Sequence, residues 1–154
     1  QNDVLLVDQV WANAVELDGQ VIRVRGKLEG ITYQTLLPCD PPTCDCNQSR
    51  ANYSLVSESE TIYNQGCSSK DSIELPLDCT GNECGLTCSP FDPFQAEVLE
   101  LKGTLQVEYQ NGRLCRLLLN DIKLEESLQL VSEEWKPVSV GTFSRSLVTP
   151  SALP

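Results

Sequence analysis

The sequence predicts an all-β protein: a small, closed, five-stranded antiparallel barrel with a disulfide-rich loop insertion and extended terminal arms. Three observations carry this. Two segments, 20–28 and 96–109, alternate apolar and polar residues with the period of two expected of half-buried strands. Eight Cys occur in 154 residues, seven of them between positions 39 and 88 among turn-forming residues. No strand–helix–strand rhythm and no internal repeat runs through the chain, and helix-forming periodicity is scarce.

The elements follow in chain order. Residues 1–19 form an N-terminal arm whose apolar run Val4, Leu5, Leu6, Val7 leads into a short helix over 7–17, packed by Trp11. In the first strand Ile22, Val24, Gly26 and Leu28 point one way, and Arg23, Arg25 and Lys27 the other. Segments 31–37 and 53–57 read as two further strands, with 72–77 a short extra one. In 96–109, Leu99, Leu101, Gly103, Leu105, Val107 and Tyr109 alternate with polar residues. Gly103, like Gly26, marks a sharp coil that lets a small sheet close on itself. Asn111-Gly112 is a hairpin turn signal, and 114–124 returns as the next strand. The barrel is expected over 20–126, with the Cys-rich insertion at 38–95. Residues 127–154 form a C-terminal arm, apolar without helical period and broken by Pro137, Pro150 and Pro154, hence extended.

Segment 14–28, with its Asp18-Gly19 turn followed by Ile22-Arg23-Val24-Arg25-Gly26, resembles the first strand of OB-fold domains, which often reads as a short helix, an Asp-Gly turn and Val-x-Val-x-Gly. Leu101-Lys102-Gly103-Thr104-Leu105 is similar to the matching fourth strand of that fold, and 117–124 to the closing fifth. The resemblance covers 14–37 and 96–124, about half the chain, and departs from the fold at the long Cys-rich middle. It implies a barrel face able to bind oligonucleotides or oligosaccharides. The residues offered there are the basic stripe Arg23, Arg25, Lys27 and Lys102, with Tyr33 and Tyr53 for stacking. The competing reading is a solvated sheet face whose cations pair across strands with Glu100 and Glu108.

Cys39, Cys44, Cys46, Cys67, Cys79, Cys84, Cys88 and Cys115 are expected to pair as four disulfides. Their spacings, C-x4-C-x-C and C-x4-C-x3-C, lack the C-x2-C knuckle of metal sites, and the chain has no His to complete a mixed site. Cys44 and Cys46 are expected to take different partners, and Cys115 to tie the barrel to the insertion. Disulfides, together with a chain that opens on Gln1 and contains no Met, lead to the expectation of a secreted protein after leader removal. No run approaches the ~20 apolar residues of a membrane span. Asn47 and Asn52 each begin an Asn-x-Ser glycosylation pattern.

Eleven Lys and Arg against 22 Asp and Glu give a net charge of −11, which disfavours nucleic acid as a partner. Without His the familiar Ser-His-Asp and Cys-His pairs are excluded. The carboxylates show no calcium-loop pattern, and sequence alone pairs none of them across a cleft. No metal, cofactor or enzymatic activity is expected. The leading expectation is therefore a non-enzymatic extracellular structural or interaction protein, a filament subunit among the options. It assembles with its own copies or another extracellular protein through arm residues Val4, Leu5, Leu6, Val7, Trp135, Val138, Val140 and Phe143. The alternative is a secreted OB-fold module binding a glycan, peptide or anionic polymer on its barrel face; a secreted hydrolase built on acidic residues is a third.

Overall fold

The computed structural model describes residues 3–41, 43–59, 65–68 and 70–146. The protein is all-β. Eleven strands form one hydrogen-bonded network rather than the five expected, accompanied by two short helices and a 3-10 turn at Leu124–Glu126.

The chain opens with β1 (Val4–Leu6), α1 (Val7–Ala12) and α2 (Ala14–Leu17). Helix α1 starts where the Gln9 side chain accepts a hydrogen bond from the Leu6 backbone N–H at 2.8 Å, which satisfies a donor otherwise orphaned at a helix start. Its Val7, Val10 and Trp11 are all buried. Next comes β2 (Val21–Gln34), which merges the two strands expected at 20–28 and 31–37. The merger follows from a change of partner in mid-strand. Residues 21–27 pair with β7 (Val98–Gln110), and residues 27–34 pair with β3 (Gln48–Val56). The alternation of Ile22, Val24 and Gly26 inward with Arg23 and Arg25 outward holds.

Five strands close a circuit. Strand β2 pairs with β3, β3 with β4 (Ser72–Glu74), β4 with β8 (Arg113–Asn120), β8 with β7, and β7 with β2. All these pairings are antiparallel except β4–β8, which is parallel. Gly26 and Gly103 sit where the circuit is tightest. A Cβ on Gly26 would meet Val7 at 2.8 Å and the Val56 carbonyl at 2.9 Å; on Gly103 it would meet the Asn120 carbonyl at 2.7 Å. The β7–β8 turn has Asn111 at φ 53° and Gly112 at φ 75°, as a tight two-residue hairpin demands. Inside the circuit lie Val24, Leu55, Ile73, Leu99, Leu101, Leu105, Leu117 and Leu119, none more than 1% exposed, closed at one end by α1.

The segment expected as an insertion, 38–95, needs correction, because it contains β3 and β4 of the circuit. What departs from the circuit is the hairpin β5 (Asp78–Asn82) and β6 (Gly85–Ser89), which extends the sheet from the first half of β3. Along the edge away from β2, strand β3 thus serves two partners, β5 through residues 48–51 and β4 through 54–56. The extension has its own small core of Ala51, Cys79, Leu86 and Cys88, bordered by Tyr53, Leu77 and Phe94.

All eight Cys are paired. Cys39–Cys46 closes the β2–β3 connection, Cys44–Cys84 ties that connection to the β5–β6 turn, Cys79–Cys88 bridges β5 and β6 at directly opposed positions, and Cys67–Cys115 anchors the β3–β4 connection to β8.

The arms also need correction. Instead of projecting, β1 lies parallel beside β2, with Val4 opposite Arg23. The expected extended C-terminal arm is a hairpin, β9 (Leu128–Val131) and β10 (Glu134–Pro137), laid on β7, followed by β11 (Phe143–Ser146) paired with β6. Val7 and Val138 are 1% and 5% exposed within the main core, so neither serves as an outward contact. Leu5 packs against the same core. Burying these apolar side chains on their own sheet is favourable at roughly 25 cal/mol per Å², and no second molecule is needed for it. Residues 147–154 of the arm lie outside the described residues.

Candidate functional site

Because side chains alternate along a strand, the residues of β2 after Gly26 present Glu29, Ile31 and Tyr33 on the same outer face as Arg23, Arg25 and Lys27. Cross-strand register sets Ser54 beside Glu29, Asn52 beside Ile31 and Arg50 beside Tyr33. Strand β4 adds Glu74 next to Ser54 and Ser72 next to Val56. The returning limb of the β3–β4 connection stands over this surface and brings Ser68 and Lys70 to its edge. Together they enclose a depression of about 360 Å³. A second depression of about 230 Å³, running from Thr35 and Gln48 to Arg50, shares Tyr33 with the first. The two depressions adjoin at Tyr33, which lines both, and are together called the groove.

Two of its cations are held by carboxylates and a third by an aromatic ring. Lys70 Nζ lies 2.9 Å from Glu29 Oε2. The Arg116 guanidinium grips Glu74 through two bonds, at 2.6 and 2.7 Å, and reaches Glu108 at 3.0 Å. The hydrogen bond to Glu74 raises the Arg116 pKa above its ordinary value. Arg50 stacks over the Tyr33 ring at 5.2 Å. Glu29 and Glu74 flank Ser54 on either side, so their backbones stand about two strand spacings, ~10 Å, apart. Ile31 is 53% and Tyr33 45% exposed, and at one end of the groove Leu36 and Leu37 are 89% and 60% exposed. That rim is stiff. The buried Asn47 side chain accepts from Thr35 Oγ1 (2.9 Å) and the Leu37 N–H (2.6 Å) and donates to the Leu37 carbonyl (3.2 Å), at the base of the Cys39–Cys46 loop.

The residues expected as a ligand face are divided by this arrangement. Tyr33 belongs to the groove. Tyr53 does not, because it alternates to the opposite face, packs its ring over Gly30 and joins the cystine-lined core; burial pushes its phenol up, with Arg145 opposing and Asp92 adding. The basic stripe occupies the other half of β2 and the adjoining β7, and among the described residues all of it but Lys27 is engaged by glutamates. Arg25 forms two bonds with Glu58, at 2.9 and 3.3 Å, and lies 5.0 Å over the Trp135 ring. Arg23 donates to the Glu126 carbonyl at 2.6 Å, and Lys102 Nζ lies 2.8 Å from the Glu126 carboxylate, whose pKa that bond lowers. Lys27 is exposed. Of the arm residues, Val4 and Leu6 are partly exposed on β1, Trp135 covers Arg25, Val140 bridges to Phe91, and Phe143 pairs with Cys88.

The two glycosylation patterns differ. Asn47 is 6% exposed and its amide donates into the loop, whereas Asn52 is exposed on the groove floor. Among the described residues no group of three or more His, Cys, Asp or Glu is placed to hold a metal ion, and no helix is long and apolar enough to cross a membrane.

Sequence reasoning did not single out Glu29, Ile31, Arg50, Ser54, Lys70, Ser72 and Glu74 as a group. A usable signal was present in Ile31-Thr32-Tyr33: its outward positions continue the parity of Arg23, Arg25 and Lys27, so large apolar side chains there face solvent. Comparison with protein families, with curated proteins and with solved structures found no match.

Proposed function

We propose that the closed circuit is an OB-like barrel and that the protein is a secreted, non-enzymatic binding module holding a neutral glycan chain along the outer face of β2, β3 and β4. The connectivity supports the barrel reading, since a parallel β4–β8 step within an otherwise antiparallel five-strand circuit is the form a Greek-key barrel takes. Four disulfides suit an oxidising, extracellular setting.

The observation that carries the function is the groove that Tyr33 lines. A peptide adding itself as a strand needs an unpaired edge, and β3, the groove floor, is paired on both sides. Recognition there must go through side chains. An anionic polymer would want several unneutralised cations, but Lys70 and Arg116 are already matched with Glu29 and Glu74, which leaves Arg50, stacked on Tyr33, without a carboxylate among the described residues. A half-exposed aromatic ring that carries Arg50 on one face, with Asn52, Ser54, Ser72 and cation-held carboxylates around it, offers what a sugar chain uses, namely a flat platform with hydroxyl, amide and guanidinium partners. The test is titration with soluble neutral oligosaccharides (β-glucan, mannan and chitin fragments). Tyr33→Ala is expected to weaken binding at least tenfold, while Arg23→Ala leaves it unchanged. Binding that survives Tyr33→Ala contradicts the assignment.

Self-assembly is retained as a second reading on one observation: β1 and β10 each pair with a single strand, and Val4, Leu6 and Trp135 are 39–45% exposed along them. This reading expects oligomers in sedimentation at high concentration that are lost on deletion of residues 1–6. A monomer at every concentration would end it.

A further inference from the structure

We propose that the Cys67–Cys115 disulfide is the latch that positions one wall of the groove, and that a dithiol opens it ahead of the other three bonds. The proposal rests on the groove reading and adds a thiol-sensitive control to it.

The limb that walls the groove is fastened on its rear side and works on its front. At the rear, Cys67 is bonded to Cys115 of β8, and the Cys67 N–H donates to the Cys115 carbonyl at 3.0 Å. Gly66 is wedged so closely against Trp11 and the Cys115 carbonyl that a Cβ there would stand 2.5 Å from both. The buried Asp71 carboxylate collects the Gln65 N–H at 2.8 Å and the Gln65 side-chain amide at 3.0 Å. At the front, Ser68 and Lys70 line the groove, and Lys70 reaches across to Glu29. Lys70 and Glu29 are both about two-fifths exposed, so their attraction is screened and competes with water. The covalent bond is therefore the firm part of the attachment.

Accessibility sets the order of opening. Cys67 is exposed, whereas Cys39, Cys44, Cys46 and Cys84 are half-buried, Cys115 is 9% exposed, and Cys79 and Cys88 are at most 3% exposed. A thiolate of the dithiol attacks Cys67 Sγ, the Cys67–Cys115 bond breaks, and Cys115 leaves as a thiolate that takes up a proton. The second thiol of the reductant then displaces Cys67 from the mixed disulfide. Cys67 and Cys115 end as two thiols and the reductant as a disulfide, so electrons and protons balance. The rest of the molecule stands, because the main core contains no Cys. The cystine-lined core keeps Cys79–Cys88, and the groove rim keeps Cys39–Cys46 and Cys44–Cys84.

The experiment is a short pulse of dithiothreitol on the intact protein, then alkylation and peptide mass mapping, with hydrogen exchange measured in parallel on the pulsed protein and on Cys67→Ser/Cys115→Ser. The latch predicts alkylation of Cys67 and Cys115 before the other six. It also predicts at least tenfold faster exchange at Cys67, Ser68, Lys70 and Asp71, with β2, β7 and β8 unchanged. Earlier alkylation at another pair, or unchanged exchange in the limb once the bond is cut, overturns it. Oligosaccharide affinity, measured alongside, is expected to fall at least tenfold on opening. These two readouts decide the latch whether or not an oligosaccharide binds, whereas an oxidised protein that binds none counts against the groove reading alone.

Discussion

The two cores of this molecule are held together by different means. The main core gathers Val7, Val10, Trp11, Val24, Leu55, Ile73, Phe91, Leu99, Leu101, Leu105, Leu117 and Leu119 without one sulfur atom. The side core has four buried residues, and two of them are the halves of one disulfide. A cluster of that size buries too little apolar surface to offset the conformational entropy of β5, β6 and β11. Cross-links do that work instead, by restricting the unfolded chain. One circuit is thus self-sufficient, and its flank is stapled. The groove lies where they meet, with its floor on circuit strands and its rim and wall on stapled loops.

That contrast can be broken at several points. The largest effect is expected from Leu101→Ala, which leaves a cavity where every wall is packed. A loss of about 2–5 kcal/mol, shared by all strands in denaturant unfolding, is predicted. The same truncation at Leu86, in the side core, should be smaller and confined to β5, β6 and β11 in hydrogen exchange. Equal, global losses at both positions would mean the two cores are one. Next in size is Cys79→Ala/Cys88→Ala. The sequence separation is 9, and closing so short a loop is worth about 2–3 kcal/mol. Exchange should quicken in β5, β6 and β11 while β7 and β8 stay protected.

The smallest effect is a pH dependence peculiar to the side core. Burial raises the Tyr53 phenol above its ordinary value of 10.0, so the folded state holds the proton more tightly than the unfolded state does. The stability this contributes is complete below pH 10 and is lost as pH rises from there through the folded-state value. Thermal unfolding from pH 9 to 11 should show a decline that Tyr53→Phe reduces. An identical decline in the variant would place the alkaline sensitivity elsewhere.

The parts of the fold legible in the sequence are those whose patterns are strong. Alternation in β2 and β7, and Asn111-Gly112 between β7 and β8, mark the circuit, whose core holds no sulfur, because burial writes itself as periodic apolar residues. The stapled side is written differently. The inward positions of β3 are Ser49, Ala51, Tyr53 and Leu55, a weak apolar signal. Strands β5 and β6 carry Cys where a larger sheet would carry Val or Leu. The β9–β10 hairpin escaped notice because its turn places Ser132 and Glu133 at φ 51° and 66°, a conformation announced far more often by Asn-Gly. Tyr33 was legible as a surface aromatic, but its partners were not. Lys70 and Glu74 reach the groove only through the β3–β4 connection and the short β4, which sequence separation hides. Tyr53 was misplaced for a simpler reason: without the register, the parity that separates it from Tyr33 could not be read.

On the proposed function, a chain of neutral sugars lies along β2, β3 and β4 across Tyr33. The most direct test of this reading is an amide-resolved NMR titration of the protein with soluble neutral oligosaccharides. Saturable shifts are expected at Ile31, Tyr33, Asn52, Ser54, Lys70 and Ser72, absent in Tyr33→Ala, with the amides of β1 and β10 unmoved. Shifts confined to β1 and β10 that grow with protein concentration, with the groove silent, would contradict it and leave assembly as the function.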